Sequence, residues 1–127
     1  MGEPIFARDM DLLREVLIWA EHGGAKDMRP KADDVPLCYH VKLAKEAGLI
    51  DGAGSLNRNP RTGEWEPGLK HVKMLTPSGQ DFLAAVRNDT IWNQTKTLAK
   101  THGIPAIFEA MKALATGLVT RALTQGH

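Results

Sequence analysis

Cysteine, histidine, tyrosine and lysine gather between Pro36 and Ile50, and these are the side chains of the sequence whose types and spacing could do chemistry. Cys38 and His40 stand two apart, with His22, His71 and His102 elsewhere. A thiolate and an imidazole together suit a zinc ion, or a nucleophile with its base. On a helix, however, residues two apart point to different faces, and the paired spacings of structural zinc are missing. No G-x-S-x-G, phosphate-binding glycine loop or H-E-x-x-H occurs. The expectation is a non-enzyme without catalytic residues, metal or cofactor, with Cys38 a semi-buried thiol and His40 packed at the helix edge. The remaining chemistry is that of cations and a phenol: Tyr39, Lys42 and Lys45 are of the types that contact the base edges and phosphates of double-stranded DNA.

The element that must present them is a helix. Leu37, Val41, Ala44 and Gly48 recur at intervals of four, three and four, an apolar stripe about three turns long, with Tyr39, Lys42, Lys45 and Glu46 turned away from it. Gly48 can close the last turn in a left-handed conformation, and Leu49-Ile50 then starts a strand. From Asp51 to Gly68 the mixture of glycine, asparagine and proline reads as a hairpin with a long irregular tip. Leu69 to Leu75 is the return strand, with Val72 and Met74 as its clearest apolar positions. Arg58, Arg61, Lys70, His71 and Lys73 fall on or near this hairpin, diluted by Glu46, Asp51, Glu64 and Glu66.

Around that centre the chain is helical. Asp9 or Asp11 opens a first helix whose apolar face is Leu12, Leu13, Val16, Leu17, Trp19 and Ala20, ended by Gly23-Gly24. Ala25 to Asp34 is polar, contains a proline, and reads as a loop or a very short strand. Thr76-Pro77 starts a third helix, with Phe82, Leu83 and Val86 on its buried side. Asp89 or Thr90 caps a fourth, with Ile91, Trp92, Leu98 and Ala99 as its stripe. Ile104-Pro105 opens a last helix whose apolar face is wider than solvent exposure requires, and through Leu114, Leu118 and Leu123 it is expected to pair two chains into a homodimer. Trp19 and Trp92 are core positions; Trp65 lies in a charged loop and is expected to fold back over the hairpin.

Composition sets limits on partners and setting. At 127 residues the chain is expected to form a single domain. Sixteen Lys plus Arg against fifteen Asp plus Glu leave a formal charge of +1, so any hold on nucleic acid must come from local clustering. The lone cysteine and the lack of a leader pattern or bilayer-length apolar run point to a cytoplasmic protein with no membrane partner.

The helix from Pro36 to Ile50, followed at once by a hairpin, resembles the recognition helix and wing of bacterial winged-helix regulators. There the matching positions are Cys38-Tyr39, His40-Val41 and Ala47-Gly48-Leu49-Ile50. Nearly the whole chain resembles the bacterial and phage family DUF2513, a domain of unknown function. The shared stretches are Arg8 to Arg14 (R-D-M-D-L-L-R), Tyr39 to Leu43 (Y-H-V-K-L), Ala47 to Ile50 (A-G-L-I), Leu75 to Leu83 (L-T-P-S-G-Q-D-F-L) and Arg87 to Asn93 (R-N-D-T-I-W-N). It departs from the family at Ala44, where leucine is usual, and in a longer segment between Gly52 and Gly68. The resemblance implies a phage or prophage setting and carries no activity with it.

The fold so expected is α+β and predominantly helical: a winged-helix-like core over residues 8–76 with a two-stranded wing, and a C-terminal helical extension over 77–127. A complete helix-turn-helix would place another helix before the recognition helix; here that helix is truncated to the stretch Ala25 to Asp34. The expected function is DNA binding, as in a phage-related transcriptional regulator, with Tyr39, Lys42 and Cys38 near the groove and Lys45, Arg58, Arg61, Lys70 and Lys73 available to phosphates. The alternative is a non-enzymatic protein-interaction or oligomerisation module on the same scaffold.

Overall fold

The computed structural model describes residues 7–102, with side chains as far as Thr97. Four helices and one antiparallel pair of strands follow in the order α1 (Met10–Glu21), a single 3-10 turn (Lys26–Met28), α2 (Asp34–Glu46), β1 (Ile50–Arg58), β2 (Trp65–Leu75), α3 (Pro77–Val86) and α4 (Asp89–His102). The class is mixed α+β. The chain divides into two compact units, Met1–Gly79 and Gln80–His127. The last helix read from the sequence, with Leu114, Leu118 and Leu123, lies outside the described residues. No described helix is long and apolar enough to cross a membrane.

In the first unit α1 starts where the Asp9 side chain accepts a hydrogen bond from the Leu12 backbone N–H at 3.1 Å, a part-buried cap on the first turn. Its apolar face is buried at Leu12, Leu13, Val16, Leu17, Trp19 and Ala20, as the spacing predicts. The helix ends at Gly23 and Gly24, both in the left-handed region. Gly24 also has no room for a side chain, since a Cβ there would lie 2.1 Å from the Val72 carbonyl oxygen. The turn therefore rests directly on β2, and the Trp19 indole N–H fixes it by donating to the Ala25 carbonyl at 2.8 Å.

α2 is held on two sides. Leu37, Val41 and Ala44 are fully buried, and each large aliphatic among them is worth about 1.5–3 kcal/mol of burial. On the hairpin side, a Cβ at Gly54 would fall 2.3 Å from the Lys42 backbone nitrogen and 2.8 Å from the Cys38 carbonyl oxygen. Strand and helix backbones touch there.

The hairpin departs from the sequence reading in two places. Gly52-Ala53-Gly54 has loop composition, yet it is strand, because Gly54 lets α2 approach and a Cβ at Gly52 would lie 2.2 Å from the His71 carbonyl oxygen of β2. β1 runs on to Arg58 and β2 begins at Trp65, so the irregular tip shrinks to the turn between them. Asn59 builds that turn: its Oδ1 accepts from the backbone N–H of Arg61 at 2.8 Å and of Thr62 at 3.3 Å, and its own N–H donates to the Glu64 carbonyl at 2.8 Å. Met74 is the second departure. The pairing runs from Ile50↔Leu75 to Arg58↔Trp65 with a register shift beside Asp51, so Lys73 is the extra residue of a bulge. Leu75 is buried and Met74 is 55% exposed.

The end of α2 is joined to the start of α3. Thr76 donates its hydroxyl to the Gly48 carbonyl at 2.6 Å and its backbone N–H to the Leu49 carbonyl at 3.1 Å, while its hydroxyl oxygen accepts from the Gly79 N–H at 3.0 Å. In the second unit Phe82, Leu83, Val86 and Trp92 are buried. Asn88, rather than Asp89 or Thr90, caps α4, accepting from Thr90 N–H at 2.9 Å and Ile91 N–H at 3.2 Å.

Candidate functional site

The polar side of α2 and the hairpin carry the cations singled out in the sequence, and each has a distinct environment. Tyr39 is half-buried, its ring meeting the His40 imidazole edge-on at 5.4 Å between centroids. Lys42, one turn on, is paired with Glu46 on the same exposed side. Lys45 is exposed at the last turn. Arg58 is held at the hairpin tip by two contacts, its Nε donating to the Gly63 carbonyl at 3.2 Å and its guanidinium carbon lying 5.8 Å from the centre of the Trp65 ring. Trp65 thus lies back on the hairpin as expected, but as a strand residue. Arg61 and Lys73 are exposed.

Lys70 is placed differently. It pairs across the ladder with Gly54, the residue that touches α2, so it shares the helix-facing side of the hairpin. Its ammonium reaches Asp34 Oδ1 at 2.8 Å, at the first turn of α2. Arg29, from the turn before α2, donates to the same oxygen at 2.6 Å. Lys70's hydrogen bond and charge, followed by Arg29's charge, hold the Asp34 carboxyl below its ordinary range. Nothing in the spacing of Arg29, Asp34 and Lys70 announces this cluster, because one of its two bonds spans thirty-six residues.

Cys38 corrects the sequence reading. Expected near the groove-facing side of the helix, it is fully buried beneath the hairpin, its thiol 3.9 Å from the Gly68 carbonyl oxygen. His40 is also buried rather than at an edge. One ring nitrogen, Nδ1, lies 2.7 Å from the Pro36 carbonyl, which can only accept; the other, Nε2, receives the Asp9 backbone N–H at 2.9 Å. The imidazole is therefore the neutral tautomer with its proton on Nδ1. Burial pushes its pKa below 6.5, against the Pro36 hydrogen bond and the Asp9 charge, which act the other way. Both nitrogens are committed, and among the described residues no group of three or more His, Cys, Asp or Glu could hold a metal ion.

A helix turned outward on its polar side and a basic-tipped hairpin docked along it make up a mixed α+β framework. The chain belongs to the family of hypothetical proteins DUF2513, whose model matches residues 7–105. It is similar to an uncharacterised protein of Haemophilus influenzae, 28% identical over 122 residues that cover 91% of this chain and 98% of that one. No solved structure matches.

On the structure, four of the five family stretches meet in pairs. R-D-M-D-L-L-R meets Y-H-V-K-L through the bond from Asp9 to His40. A-G-L-I meets L-T-P-S-G through Gly48, Leu49, Thr76 and Gly79, where a Cβ on Gly79 would lie 1.9 Å from the Leu49 carbonyl oxygen. These are joints of the fold. Within Y-H-V-K-L, His40 and Val41 are buried, whereas Tyr39 and Lys42 are partly open to solvent.

Proposed function

We propose that this protein binds double-stranded DNA in the manner of a winged helix, with α2 directed at the major groove and the β1–β2 hairpin as the wing. The observation that carries the reading is the order and placement of these elements: α2 buries Leu37, Val41 and Ala44 on one side and leaves Tyr39 and Lys42 partly open on the other, with Lys45 exposed at its last turn, and the hairpin that follows carries Arg58 and Arg61 to its tip. Tyr39 and Lys42 are the base-reading candidates, with Lys45, Arg58, Arg61, Lys70 and Lys73 as phosphate contacts. The ion pair of Lys42 with Glu46 does not oppose this reading, because an exposed pair contributes only about 0–1 kcal/mol and yields to a better anion. A phage-related regulator would use such a module as a homodimer. Selection of bound duplexes from a random-sequence pool tests the reading: enrichment of an inverted repeat with half-sites about one helical turn apart supports it, and an unenriched pool counts against it.

A second reading is supported by β2. Leu69 and Met74 are 56% and 55% exposed, the large apolar side chains most open to water among the described residues. Such positions suit a protein partner. This reading expects binding that is insensitive to salt and is lost when both are replaced by serine.

A further inference from the structure

We propose that Asp34 is an internal competitor for DNA: its carboxylate occupies a two-cation site, built by Arg29 and Lys70, that is suited to a backbone phosphate. The inference rests on the DNA-binding reading above, and adds to it a contact residue, Arg29, and a form of restraint.

Three separate parts of the first unit converge on one atom. Arg29 from the turn, at 2.6 Å, and Lys70 from β2, at 2.8 Å, both donate to Oδ1 of Asp34 at the start of α2. The side chains of Arg29, Asp34 and Lys70 remain 41%, 50% and 29% exposed, so the cluster is open to water and exchangeable. A guanidinium and an ammonium bind phosphate oxygens as they bind carboxylate oxygens, and a phosphate offers more acceptors. The place is also apt, since it is the N-terminal end of a recognition helix that approaches the DNA. Asp33 and Asp34 put two negative charges there, and Asp33 makes no side-chain cap bond that would account for its presence. While Asp34 holds both cations, its carboxylate cancels one of their two charges and occupies the donors that a phosphate would use. A carboxyl of ordinary pKa is already ionised at neutral pH, and Lys70 and Arg29 lower that of Asp34 further, so the competitor carries its charge there. The pair of Lys42 and Glu46 differs, being one cation and one acid within a single helix.

The test is fluorescence anisotropy of a labelled random-sequence duplex across a salt series, on the full chain, with Asp34→Asn, Asp33→Asn, and Asp34→Asn combined with Lys70→Ala or Arg29→Ala. The cluster lies at the surface, and circular dichroism checks that each variant is folded. Asp34→Asn should tighten binding roughly 2–25-fold and steepen the salt slope by about one to two, as one or two cations become free for phosphate. Asp33→Asn removes the same charge without touching Arg29 or Lys70, and should change affinity by less than about two-fold. Adding Lys70→Ala or Arg29→Ala to Asp34→Asn should abolish part of the gain. If the wild-type chain binds and Asp34→Asn behaves like it or like Asp33→Asn, the competitor role is wrong and the DNA reading stands. If no variant binds at the lowest salt, both fall together.

Discussion

The backbone N–H of Asp9, the residue that caps α1, donates to Nε2 of His40 at 2.9 Å, so the first turn of one helix is fastened to the buried ring of another. The ring can accept that bond only while it is neutral. Replacing His40 with alanine leaves the Asp9 N–H without its acceptor and opens a small cavity, and should cost roughly 2–4 kcal/mol by urea denaturation. A loss below about 0.5 kcal/mol, the size of an ordinary surface change, would show that the bond contributes little.

The same bond sets a pH dependence. The folded-state pKa of His40 is lowered from 6.5 by burial, so at and below that pH the unfolded chain binds the proton more readily than the folded one. Its contribution is present in full above 6.5 and is lost as the pH falls from there toward the lowered folded value. Stability measured from pH 8 to pH 5 should decline on the acid side in the wild type, and His40→Gln should flatten that decline. A wild-type profile that is flat, or that rises toward acid, contradicts the neutral assignment.

Two glycines provide a test of how the hairpin is seated. At Gly54 an alanine Cβ would press into the Lys42 backbone at 2.3 Å, and because neither backbone can yield cheaply the cost should be about 1–3 kcal/mol or more. Gly48 has nothing within 4 Å but a φ of +74, so alanine there should cost only about 1–2 kcal/mol of backbone strain. Thermal unfolding of the two variants gives the order. Equal stability of Gly54→Ala and the wild type would mean that β1 does not lie against α2 as described.

The helices were legible because their information is periodic. The six apolar positions of α1 and Leu37, Val41 and Ala44 of α2 are spaced as a helix demands and are buried, whereas Gly48, the fourth of the α2 stripe, lies past the end of the helix and is exposed. The hairpin was less legible because its strands answer to a tertiary contact: Gly52 and Gly54 read as loop by composition, and the register shift that exposes Met74 and buries Leu75 leaves no mark in the local pattern. The candidate site divides the same way. Tyr39 and Lys42 follow from the helical wheel and Lys45 from its place at the helix end, whereas the burial of Cys38 follows from the hairpin's approach and the role of Arg29 from a partner on β2 brought near only by folding.

Self-association is predicted from the sequence of the last helix. Sedimentation at high micromolar concentration should give a mass near twice the 13.9 kDa of the chain, and Leu118→Glu should return it to one chain. A monomer at that concentration, with or without the substitution, contradicts the homodimer.

The central claim is that α2 and the hairpin bind DNA, and a salt-dependent anisotropy titration tests it most directly. At low salt the wild type should bind a random duplex, with log K falling linearly against log salt concentration. Lys45→Ala and Arg61→Ala, which remove proposed phosphate contacts, should each reduce the slope by about one, while Lys42→Ala on a selected site should cost roughly 1–3 kcal/mol and relax preference at one base pair. Absence of binding at the lowest salt, or binding unchanged in Tyr39→Ala and Lys42→Ala, would contradict the account.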